Sequence, residues 1–104
     1  MSQALDNRLD TIIGKLHTLS PALKAAGVTR LCLFGSRARG DARPDSDLDV
    51  LIETNANGAQ PAFGYFKVQH LIEDGTGLAV QVSQRASLKS RVAERIADDL
   101  IEVF

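Results

Sequence analysis

GSRARGDARPDSDLDVLIE, residues Gly35 to Glu53, decides how this chain is read. Its last third sets three carboxylates, Asp45, Asp47 and Asp49, at alternate positions and runs straight into Val50-Leu-Ile52. Alternate residues of a strand face one way, so these charges stack on a single face. Like charges held that close repel unless a cation neutralises them. The apolar segment Leu48 to Ile52 reads as a buried strand. Just upstream, Thr29-Arg-Leu-Cys-Leu-Phe34 reads as another, broken by Gly35.

Several motifs fail against the stretch. Gly35 and Gly40 match the two glycines of a Walker A loop, but Asp41-Ala42 stands where Lys-Ser/Thr is required. No G-x-G-x-x-G is present, so a dinucleotide fold has no support. An EF-hand loop starting at Asp45 would carry Val50 at its turn glycine and Ala56 at its bidentate glutamate. Arg39-Gly-Asp41 matches a cell-adhesion tripeptide with nothing extracellular around it.

One constellation survives: strand, Gly35-Ser36, a spacer of ten residues, then Asp47-x-Asp49 opening a second strand. A glycine after a strand lets a phosphate approach the backbone, and a following helix start offers free N–H groups. Ser36 adds a hydroxyl. Asp47 and Asp49, on one face, can share a divalent cation, and hard oxygen ligands together with substrate phosphates are how Mg²⁺ is usually held. Asp45 shares their parity but falls in the solvated loop.

Outward from this centre, Leu5, Leu9, Ile12, Ile13, Leu16 and Leu19 trace an amphipathic helix. Ser20-Pro21 is expected to interrupt it, with Pro21 restarting a second piece that ends at Gly27. Thr54 to Gly58 reads as a loop. Phe63, Phe66, Leu71 and Ile72 place a helix over about 61–74, ended by Gly75-Thr-Gly77. Leu78 to Ser83 is a third strand with Gln81 on the face opposite Val80 and Val82. Leu88, Val92, Ile96, Leu100 and Val103 predict a closing helix over 87–103 with Ser87 as N-cap. Strands alternating with helices argue for one small α/β domain spanning 1–104, its mixed sheet of three or four strands covered by helices.

The chain has 104 residues, 44% hydrophobic and 24% charged, enough for a modest core without cross-links. A net charge of −1 gives no basic field, so direct nucleic-acid binding is not expected. The single cysteine, Cys32, reads as a small buried hydrophobe. No apolar run approaches about 18 residues and no signal pattern opens the chain, so no membrane contact and a cytoplasmic location are the expectation.

Gly35-Ser36, Arg39-Gly40, Ser46-Asp47 and Asp49 resemble the signature of the minimal nucleotidyltransferases, a branch of the DNA polymerase β-like superfamily. The resemblance covers most of the chain, from about Leu5 to Leu100. It implies a small α/β nucleotidyltransferase fold and transfer of a nucleoside monophosphate from ATP or another NTP to a hydroxyl. It implies that Gly35 and Ser36, with Arg39, hold the triphosphate, and that Asp47 and Asp49 bind two Mg²⁺. It also implies a HEPN-domain toxin partner, for which such proteins act as antitoxins by AMP transfer.

The family completes its metal site with a third carboxylate on a later strand. Aligning Leu88-Lys89 with the family's usual L-K puts Gln81 at that position. An amide neither neutralises Mg²⁺ nor accepts a proton at neutral pH. Glu73 and Asp74, the nearest carboxylates, lie before the Gly75-Gly77 turn. Three readings therefore stay open: a transferase weakened or silenced at Gln81, a nucleotide- and metal-binding module that neutralises its partner by binding alone, or a structural α/β domain whose Asp-x-Asp is vestigial. Arg37, Arg39 and Arg43 either contact phosphates or offset Asp41 and Asp45. His17 and His70, on predicted helices, have no ligand-spaced partner.

Overall fold

The computed structural model describes residues 8–54, 61–85 and 88–104, with the backbone alone over 61–65. The unbroken apolar run of the first strand has its cause in the sheet. Strand β1 (Val28–Phe34) lies between β2 (Leu48–Thr54) and the short β4 (Ile101–Glu102), antiparallel to both. Strand β3 (Val80–Gln84) runs parallel to β2 on its outer side, giving the order β3-β2-β1-β4. Helices α1 (Leu9–Ala25) and α3 (Pro61–Thr76) cover one face, with Ile12, Leu16, Val68 and Ile72 packed against Leu31, Leu33, Val50 and Ile52. On the opposite face Cys32 and Leu51 meet Ile96 of α4 (Ser90–Ile96). With both faces covered over Leu31 to Leu33, that stretch of β1 has no position to spare for alternation, while Thr29 and Arg30 before it are exposed.

Strand parity then fixes the faces. Leu48, Val50 and Ile52 point into the larger core, so Asp49 and Leu51 point to the α4 side. Val80 and Val82 likewise send Gln81 to the α4 side. Between β1 and β2 sits α2 (Gly35–Arg39), a single short helix.

Three expectations are corrected. Helix α1 runs unbroken through Pro21. Proline removes one intrahelical bond and costs about 3 kcal/mol in an interior. Leu16 and Leu23, fully buried on either side, dock both halves on one core and outweigh it. Helix α3 continues through Gly75 to Thr76, whose hydroxyl donates to the Ile72 carbonyl (2.7 Å) and accepts from the Leu78 amide (3.3 Å). The third strand consequently starts at Val80, not Leu78.

The closing helix stops at Ile96. A 3-10 turn over Ala97–Asp99 follows, and the chain then becomes β4. The outer edge of β1 explains the change, because unpaired backbone groups there would go unsatisfied. Val103 N–H donates to the Leu31 carbonyl (2.8 Å) and Leu31 N–H donates to that of Phe104 (3.1 Å). His17 Nε2, 2.8 Å from the Val103 carbonyl, fastens the same segment to α1, and the Lys24 ammonium lies 5.3 Å from the centre of the Phe104 ring. Leu5, the 55–58 loop, the side chain of Phe63 and the Ser87 cap lie outside the described residues. Cys32 is buried and free, its thiol pushed up first by that burial. Among the described residues no helix is long and apolar enough to cross a membrane.

Candidate functional site

The residues singled out around Gly35 come together where β1 ends and β2 begins. Phe34, the last residue of β1, pairs in register with Asp49, and Asp49 pairs on its other side with Gln81. The Gly35 turn, the second aspartate and the glutamine thus lie in one row across three strands. Gly35 takes φ +79°, a conformation that side chains resist. A Cβ built there would collide with the Asp49 carboxylate. The glycine is what lets the backbone turn over that carboxylate.

Asp49 is half-buried and Asp47, just before the strand, is exposed. Burial first, and then the neighbouring charge of Asp47, push the Asp49 carboxyl above its ordinary value, while Arg39 pulls it back. A cation between the two carboxylates would offset both upward causes with its own charge. This answers the stacked charges of the sequence: a pair costly by itself and well matched to a hard divalent ion. Asp45 lies exposed in the turn before them.

Gln81 is exposed on the same side, and its Nε2 donates to Asp47 Oδ2 at 3.3 Å. Its placement is fixed by backbone. Val80 N–H donates to Glu73 Oε2 (3.2 Å) and Leu48 N–H to the Ala79 carbonyl (2.8 Å), which set the start of β3 against α3 and β2. Glu73 is therefore engaged at a strand end, and Asp74 is exposed on α3. Among the described residues no three His, Cys, Asp or Glu side chains gather closely enough to hold a metal ion.

The arginines divide in a way that the sequence does not disclose. Arg37 is only 5% exposed and takes neither role expected of it. Its Nε and Nη2 donate to the Ser46 carbonyl (3.1 and 2.7 Å), and Nη2 also reaches the Pro44 carbonyl (3.2 Å). The Ser46 hydroxyl accepts the Arg43 amide (2.9 Å), closing the same loop. Arg37 is thus a staple that delivers the chain to Asp47. The one available signal was the loop's need for donors, with Pro44 inside it. Arg39 offsets Asp41 (3.3 Å), as one reading held, but its second partner is Asp99 of the 3-10 turn (3.0 Å). Arg43 is exposed, and Ser36 is half-buried with its hydroxyl unpaired among the described residues. His17 serves β4 and His70 is exposed, both away from this row.

Comparison with known proteins agrees with the fold. A family model described as a nucleotidyltransferase domain matches residues 9–103. The protein adenylyltransferase MntA of Thermococcus cleftensis is 30% identical over 77 residues, 74% of this chain and 76% of that protein. A solved structure described as a minimal nucleotidyltransferase superposes with a TM-score of 0.79 at 26% identity, over 92% of this chain and 96% of its own. A chain from the complex of a tri-AMPylated Shewanella oneidensis HEPN toxin with its MNT antitoxin shares the fold, with a TM-score of 0.65 at 11% identity over 91% and 71% of the two chains.

Proposed function

The chain belongs to the nucleotidyltransferase domain family, and on that premise we propose that it is an antitoxin that binds Mg²⁺–ATP and transfers AMP to a HEPN-type partner. Asp47 and Asp49 would hold the metal, Gly35 and Ser36 the phosphates, with Arg39 beside them. The observation that carries this reading is the fit of Gly35 over Asp49, which brings a phosphate-accessible turn against a partly desolvated carboxylate. The relatives are named for adenylyl transfer and for complexes with HEPN toxins, which supports the donor and the partner.

The reaction asks specific things of these residues. A hydroxyl of the acceptor attacks the α-phosphorus; an O–P bond forms, the α–β anhydride breaks, and pyrophosphate leaves. When bound, the metal supplies positive charge that offsets the phosphates and the charge developing on them. Asp47 and Asp49 would provide hard oxygens, and the Ser36 hydroxyl, without a partner among the described residues, can donate to a phosphate oxygen. The hydroxyl proton needs an acceptor, and the Gln81 amide is not one at neutral pH. Where a third carboxylate would act as base, its absence costs about 10²–10⁴-fold in rate. We therefore read the enzyme as slow.

The hydrogen bond from Gln81 to Asp47 favours a second reading, a module that binds nucleotide and neutralises its partner without transfer. α-Labelled ATP, Mg²⁺ and the partner toxin separate the two. Slow labelling by the wild type and much faster labelling by Gln81→Asp is the expected result. Equal rates would refute the role given to Gln81. No labelling by either protein, with Mg²⁺–ATP still raising the melting temperature, would establish the binding module.

A further inference from the structure

We infer that Gln81 limits this site to a single divalent cation, its amide taking the place on Asp47 that a second cation needs. The inference rests on the metal–nucleotide reading above and sharpens it. The amide can present only its N–H to Asp47, since a carbonyl oxygen there would face a carboxylate. That bond, at 3.3 Å, takes up a lone-pair direction of Oδ2. Because β3 pairs in register with Asp49 opposite Gln81, the backbone holds the Gln81 side chain beside this row, within reach of Asp47.

Charge points the same way. Two divalent cations in a paired site stand about 3.5–4 Å apart and repel four times as strongly as unit charges would. Asp47 and Asp49 bring two negative charges, and a neutral amide adds none. Among the described residues no third carboxylate gathers with these two closely enough to hold a metal ion, and Asp45 lies exposed in the preceding turn. Glu73 is held at the Val80 amide, Asp41 and Asp99 both face Arg39, and Glu102 pairs with Arg30. Glu53 lies toward the far end of β2, 3.9 Å from Arg85. One cation, shared by Asp47, Asp49 and the nucleotide phosphates, uses everything the row offers.

Mn²⁺ is the probe, with the full chain and saturating α,β-methylene-ATP, whose reactive bond cannot be cleaved. Bound Mn²⁺ is counted by equilibrium dialysis against a chain-free control, and its EPR spectrum is recorded. One Mn²⁺ per chain with the spectrum of an isolated ion is expected. Gln81→Asp is expected to bind two and to show the spin coupling of a close pair. Two coupled ions on the wild type would overturn the inference while leaving the metal–nucleotide reading intact. So would a single ion on both proteins, because Gln81 would then not set the number. No nucleotide-dependent Mn²⁺ on either protein would overturn the metal–nucleotide reading itself, and the inference with it.

Discussion

Replacing Gly35 by alanine tests the junction of fold and site. The substitution carries two separable costs. At φ +79° a Cβ strains the backbone by about 1–2 kcal/mol. That Cβ would also strike the Asp49 carboxylate, so the aspartate must leave its rotamer, for about a further 0.5–1.5 kcal/mol. The expected loss is about 1.5–3.5 kcal/mol, and in a domain of this size each kcal/mol lowers Tm by about 4–8 °C. Gly40→Ala provides the control. Its φ of +85° imposes the same backbone strain, yet a Cβ there meets nothing within 4 Å. Gly40→Ala should lose about 1–2 kcal/mol and keep Mg²⁺–ATP binding. Gly35→Ala should lose more stability, and binding as well, because the displaced carboxylate is one of the two proposed cation ligands. Urea unfolding and calorimetry on both variants decide the matter. If Gly35→Ala is no less stable than Gly40→Ala and binds Mg²⁺–ATP like the wild type, the proposed coupling of turn and carboxylate is wrong.

Three further perturbations follow from the geometry. Arg37→Leu strands the Ser46 and Pro44 carbonyls and should cost about 2–4 kcal/mol in urea unfolding, with Arg37→Lys intermediate, since an ammonium cannot span the fork. Asp49→Asn should melt higher than the wild type in metal-free buffer at pH 7. The folded carboxyl is raised above its unfolded value, so its charge opposes folding above the folded pKa; the variant's advantage must shrink on acidification and vanish below about pH 3.9. His17→Leu removes the tie to Val103 and should cost about 0.5–1.5 kcal/mol, seen as faster hydrogen exchange at the Val103 amide with β2 unaffected.

The α/β class and the two interior strands were legible because burial on both faces writes itself as unbroken apolar runs, Leu31–Phe34 and Val50–Ile52. The Gly35-Ser36 turn and the Asp47-x-Asp49 pair could be singled out as a candidate site because that pattern depends on local spacing, and the structure sets Gly35 against Asp49. What depends on long-range pairing was not. Leu100 and Val103 fit a helical period with Ile96, and only the open edge of β1 turns that segment into a strand. Pro21 reads locally as a break, and the core on either side of it overrides the reading. Arg37 looks like any loop arginine until the carbonyls of residues 44 and 46 turn inward to meet it. The face of Gln81 followed from strand parity, but its bond to Asp47 needed the parallel register of β2 and β3.

The central claim is that Asp47 and Asp49, set against the Gly35 turn, form a cation-dependent nucleotide site. Titration calorimetry of α,β-methylene-ATP with and without Mg²⁺, on the wild type and Asp47→Asn, tests it most directly. The wild type should bind only with Mg²⁺, and Asp47→Asn should lose at least about tenfold in affinity, about 1.4 kcal/mol. Binding that is equally strong without Mg²⁺, or unchanged in Asp47→Asn, would contradict the assignment.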